Sequence, residues 1–211
     1  LSGGGCAGSV RTDPDETDHD VLKSLRCYAS YQRSRFEDCI GRAQAVLEGF
    51  LDREAFYGAF FIHCYMAMSE FALGHISRAE AALEKGIGIA SHRYGVYSNQ
   101  VAIARVLLSE LAYEQNKLSV ARDLLAQSFD DIRRSGGWFD ILATGFNTRT
   151  SLMILDGEAH NAYEFLDRGE IYAQELHLSR LSDVLVVHRV RLLMRLGMVD
   201  QARDLGFSNR F

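Results

Sequence analysis

The residues with the richest binding chemistry lie in three stretches of this 211-residue chain. In "WFDILATGFNTRTSLMIL" (Trp138 to Leu155), Trp138, Asp140, Asn147, Arg149 and Ser151 combine an aromatic platform with a carboxylate, an amide, a cation and a hydroxyl. A sugar or polyol site needs an apolar face plus a few directional polar groups of this kind. The same residues also suit a Trp138 packed across a repeat junction, with Asn147 or Arg149 turned to solvent. Tyr97, Asn99, Arg105 and Tyr113 form a second set of similar character. His188, Arg191 and Arg195 are spaced i, i+3 and i+7, so on a helix they share a face. Such a stripe can hold an anion or an acidic partner, or it is a solvated face whose cations sit favourably near a helix C-terminus.

Metal and phosphate chemistry find less support. His63 and Cys64 are adjacent and diverge on a helix, and the seven histidines contain no HxxxH. The acidic run Asp13 to Asp20 lacks the glycine and terminal glutamate of a calcium loop, and Pro14 interrupts it. "GGGCAGSV" has the glycine spacing of a phosphate loop at Gly3 and Gly8, but Ser9 and Val10 stand where lysine and a hydroxyl residue belong. No nucleophile elbow, paired-carboxylate signature or local Cys/His motif occurs. The expectation is a binding protein rather than an enzyme, with no cofactor and no metal.

The elements that must position these residues are helices. A single proline, Pro14, suits an almost continuous run of helices with short connections. The segment "LGHISRA" (Leu73 to Ala79) has counterparts at 33–39, 115–121, 156–162 and 196–202. Their second position holds Ser34, Gly74, Asn116, Gly157 and Gly197, residues that tolerate a tight turn or left-handed backbone. Their fourth is apolar (Phe36, Ile76, Leu118, Ala159, Val199) and their seventh small (Cys39, Ala79, Ala121, Ala162, Ala202). Seven residues before each turn lie Cys27, Ala67, Ser109, Thr150 and Val190, none of them large. One small residue on each side of a turn lets two helices approach closely. A recurrence of about 41 residues is the mark of a solenoid. Second breakers near Leu51, Arg93, Gly136 and Leu178 divide each repeat into two helices. The expected pairs are 20–32 with 35–50, 53–73 with 75–92, 97–115 with 117–134, 138–155 with 158–176, and 180–196 with 198–206. Residues 1–19 read as a flexible leader and 20–211 as one helical-repeat domain, a fragment of a larger protein.

The turn residue, the apolar position and the paired small residues resemble a tetratricopeptide repeat (TPR), although the period exceeds 34 residues and the early tryptophan and final proline are missing. The fold class implied is all-α, a TPR-like αα-hairpin superhelix of about five repeats. At this period it resembles the TPR-like sensor region of MalT-like, large ATP-binding LuxR-type transcription regulators. That resemblance implies a small-molecule inducer or regulatory protein held in the superhelix groove. It also implies partner domains of the parent regulator, an ATPase and a helix-turn-helix, whose motifs these residues do not carry. A scaffold that binds a peptide or a second copy of itself is the alternative.

A formal charge of −5 argues against a general nucleic-acid or anionic-membrane surface. The most apolar run, Ala55 to Met68, is too short for the roughly 20 residues of a membrane span. The four cysteines, Cys6, Cys27, Cys39 and Cys64, have no paired spacing and read as reduced thiols, which predicts a cytoplasmic location.

Overall fold

A residue in the left-handed region separates one helix from the next through most of the molecule. The computed structural model describes residues 14–135 and 137–208; the Gly3 to Gly8 stretch, Cys6 and most of the expected leader lie outside them. The described residues form eleven helices and no strand. They are α1 (Pro14–Gln32), α2 (Phe36–Asp52), α3 (Phe56–Ala72), α4 (Ile76–Tyr94), α5 (Asn99–Glu114) and α6 (Leu118–Ala126). These are followed by α7 (Phe129–Ser135), α8 (Phe139–Leu155), α9 (Ala159–Glu175), α10 (Ser179–Arg195) and α11 (Val199–Ser208).

Ser34, Glu54, Gly74, Asn116, Gly157, His177 and Gly197 all have φ between 55° and 79°. At Ser34 the backbone N–H donates to the Tyr31 carbonyl at 2.8 Å, while the Arg35 N–H reaches back to the Ser30 carbonyl at 2.9 Å. This crossed pair is a Schellman closure, which satisfies carbonyls that the helix end leaves free. Gly74 and His75 repeat it onto Phe71 and Glu70, both at 2.8 Å. The residue after the left-handed one then opens the next helix: the Arg35 carbonyl accepts from the Cys39 N–H at 2.9 Å and the His75 carbonyl from Ala79 at 3.1 Å. No side chain caps the starts at Arg35, Ala55, His75, Lys117, Glu158 or Leu178. At the start of α5 the Ser98 hydroxyl does accept a capping bond, from the Val101 N–H.

The small residues predicted to flank the turns are where the helices meet. Cys39, Ala79, Ala121 and Ala162 are completely buried, as are Cys27 and Ser109 facing them. First helices also stack on first helices, with α1 against α3, α3 against α5, α5 against α8 and α8 against α10. This ladder forms the inner wall. Second helices contact the first helices on either side of them and form the outer layer.

Two boundaries differ from the sequence reading. Helix α1 begins at Pro14 rather than near residue 20, because a proline is well suited to a helix's first turn. The helix expected over 117–134 breaks between Ala126 and Phe129. The break swings Phe129 into the core, edge-on to Phe146 with centroids 5.2 Å apart. Gly145 makes room for it, since a Cβ there would fall 2.0 Å from a Phe129 ring carbon.

The turn geometry makes opposite predictions for two substitutions. Glu54 carries its side chain in left-handed backbone, which costs a non-glycine residue about 1–2 kcal/mol. Glu54→Gly should therefore raise stability by roughly 0.5–1 kcal/mol after the flexibility glycine adds to the unfolded chain. Gly74→Ala should lower it by about 1 kcal/mol through backbone strain alone, as no neighbouring atom lies within 4 Å of the added Cβ. Urea unfolding of both variants measures the two signs.

Candidate binding groove

The concave wall has two parts of different character. Its first part is aromatic. Trp138, at the start of α8, packs on Phe61 and Tyr65 of α3 with ring centroids 5.1 and 6.3 Å away. Tyr28 of α1 lies 5.2 Å from Tyr65. Solenoid repeats ordinarily touch only their neighbours, yet here the first repeat reaches the fourth and fifth. Asp140 is the centre of that contact. Its Oδ2 accepts from the Tyr28 hydroxyl at 2.7 Å and from Trp138 Nε1 at 3.0 Å, and Gln32 Nε2 donates to both its oxygens at 3.1 and 3.2 Å. Arg180 of α10 donates to Gln32 Oε1 at 3.3 Å, and its guanidinium lies 4.1 Å from the centroid of the Phe139 ring. These bonds latch α1 onto the starts of α8 and α10. Burial and the Asp140 carboxylate together push the Tyr28 phenol pKa upward, which keeps it a donor.

The second part is a polar groove between α5, α8 and α10. It consists of two recesses of about 320 and 280 Å³ that share Asn147, His188 and Arg191. Six residues singled out from the sequence line it: Tyr113, Asn147, Ser151, His188, Arg191 and Arg195. Across from the cations, α5 contributes Glu110 and Glu114, which the sequence reading missed. A signal existed, since Glu110 lies three residues before Tyr113 and four before Glu114, spacings that put each pair on one side of a helix. Glu110 Oε1 accepts from Asn147 Nδ2 at 3.3 Å and Oε2 from Thr144 Oγ1 at 3.4 Å. Burial raises the Glu110 pKa, and the Asn147 and Thr144 bonds counter this by favouring the charged form. Among the described residues neither the Arg191 nor the Arg195 side chain makes an ion pair or hydrogen bond. The groove thus has a carboxylate wall, a guanidinium wall and an amide and hydroxyls between them.

The other candidates are elsewhere. Trp138 and Asp140 belong to the latch. Arg149 points away, paired with Asp130 at 3.3 Å and 5.0 Å from the Phe165 ring centroid. Asn99 accepts from the Ser135 hydroxyl at 2.9 Å. Tyr97 is 95% exposed in the turn before α5, and Arg105 is half-buried on α5 outside the groove lining. Among the described residues no group of three or more His, Cys, Asp or Glu could hold a metal, and no helix is long and apolar enough to cross a membrane. The chain matches no family model and no curated protein, so the reading of the groove rests on its own geometry.

Burial makes the fold sensitive to acid. His188 in the groove and His63 inside α3 are 6% and 4% exposed, and desolvation, with Arg191 and Lys85 respectively adding to it, lowers each pKa from 6.5 to about 4. The unfolded chain takes up these protons near pH 6.5, whereas the folded chain resists until about pH 4. The stability is therefore complete above pH 6.5 and is lost as pH falls from 6.5 toward 4. Each histidine contributes up to about 1.4 kcal/mol per pH unit in that window. Urea unfolding from pH 7 to pH 5 should show the decline, and His188→Gln should remove one histidine's share of the slope.

Proposed function

We propose that this chain is a non-catalytic recognition module that binds a small polar ligand in the groove between α5, α8 and α10. The observation that carries the reading is the convergence of Glu110, Asn147, His188, Arg191 and Arg195 on one concave surface. The recesses are of a size suited to a small molecule. A ligand with a cationic and an anionic end would use both walls: a plain anion meets Glu110 and Glu114, and a plain cation meets Arg191 and Arg195.

Binding would act on curvature. Helix α8 carries Asn147 in the groove and Asp140 in the latch, so a ligand held against α8 and α10 favours the curl that the latch stabilises. Such a device suits a sensor, and the repeat period supports the proposal of a sensor region within a MalT-like, LuxR-type regulator. A Walker loop and a helix-turn-helix in the full-length gene would support that context, and their absence would remove it.

Thermal-shift screening of amino acids, sugars and dicarboxylates identifies a stabilising ligand. Glu110→Gln and Arg191→Gln should each weaken its binding about tenfold, equivalent to about 1.4 kcal/mol, and the exposed Arg191→Gln should do so without changing the ligand-free melting temperature. Asp140→Ala should weaken it too, while increasing the radius of gyration measured by X-ray scattering. A stabiliser indifferent to both groove variants contradicts the groove. Recovery of a protein partner with no small-molecule stabiliser supports the scaffold reading instead.

A further inference from the structure

The turn between α1 and α2 holds a recess of about 240 Å³ lined by Arg26, Ala29, Ser30, Arg33, Arg35 and Arg42. It shares no residue with the groove between α5, α8 and α10. Arg26 and Arg33 lie two turns apart on one face of α1 and the residues that follow it. Arg33 and Arg35 flank the left-handed Ser34, and Arg42 comes from the second turn of α2. The lining residues include four arginines and no acidic residue. Among the described residues none of the four makes an ion pair or a side-chain hydrogen bond. Glu37 and Asp38 stand close by in the first turn of α2, but neither lines the recess or pairs with these arginines. At three other turns a basic residue is paired with a carboxylate: Arg53 with Asp20 at 2.6 Å, His75 with Glu70 at 2.7 Å and Lys117 with Glu80 at 3.8 Å.

We infer that this recess is a binding site for a small phosphate-bearing anion. Four unpaired cations gathered in one recess repel one another, in a chain whose net charge is −5. An anion seated among them removes that repulsion. Phosphate is the class that fits, because planar guanidinium forks match its oxygens in pairs and several forks can engage one group. A monocarboxylate has too few oxygens and too little charge for four. The start of α2, with no side-chain cap at Arg35, adds its positive end to the same region. Ala29 leaves the space open between Arg26 and Arg33, and Ser30 forms the base, 8% exposed and bonded to the Arg26 carbonyl at 3.1 Å.

The test is isothermal titration of the full chain with inorganic pyrophosphate at constant ionic strength. Saturable one-to-one binding is expected. Arg26→Gln and Arg42→Gln should each weaken it about tenfold or more, and the double variant should abolish it. All four arginines are exposed, so the melting temperature without pyrophosphate should be unchanged in every variant. Heat that fails to saturate, equal binding of sulfate at matched ionic strength, or unaltered affinity in the variants overturns the assignment. So does a phosphopeptide or anionic vesicle that binds where pyrophosphate does not.

Discussion

Every hairpin depends on a backbone arrangement in which a single residue ends one helix and begins the next. In the closure at Gly74, the His75 N–H returns to the Glu70 carbonyl while the His75 carbonyl accepts from the Ala79 N–H. Three residues therefore suffice between helices, and the direction in which the second helix leaves is fixed by backbone hydrogen bonds. Side-chain caps become unnecessary, which is why residues as different as Arg35, Ala55, His75 and Leu178 occupy helix starts. The left-handed conformation is the condition for all of it. It explains why glycine or a residue tolerant of positive φ recurs, and why small residues five positions further on, such as Ala79 and Cys39, bring the helices together.

Repetition of one turn gives the chain its curl, and the curl creates a surface that no single repeat possesses. First helices stack inward until α1 meets the starts of α8 and α10. Asp140 joins them by accepting bonds from both Tyr28 and Gln32. A charged acceptor bonded several times in this way is worth more than an exposed ion pair. The aromatic cluster around Trp138 closes one part of the concave wall. The polar groove remains beyond it, with Glu110 on one side and Arg191 on the other.

The architecture was legible because packing leaves a local trace. Turn residues and small residues recur at fixed spacing, and the series Cys39, Ala79, Ala121, Ala162 and Ala202 marks the close helix contacts by residue type alone. The break between α6 and α7 left no such trace, since it answers to Phe129 entering space over Gly145, which belongs to the next repeat. The site was half legible for the same reason. His188, Arg191 and Arg195 shared a face by spacing alone. Asp140 could not be separated from Asn147 within one helix, because their difference lies in what α1 and α5 bring opposite them. Glu110 was overlooked among ordinary surface acids until α8 placed Asn147 and Thr144 against it.

The superhelix curls far enough for its first repeats to close on its fourth. Trp138 is the chain's single tryptophan, so its indole N–H gives one unambiguous resonance. Nuclear Overhauser spectra should connect that proton to the rings of Tyr28 and Tyr65, and the indole ring to Phe61, with slow exchange of the indole proton in deuterated solvent. An indole proton that exchanges freely and shows contacts only within α8 and α9 would contradict the closed curl and the latch built on Asp140.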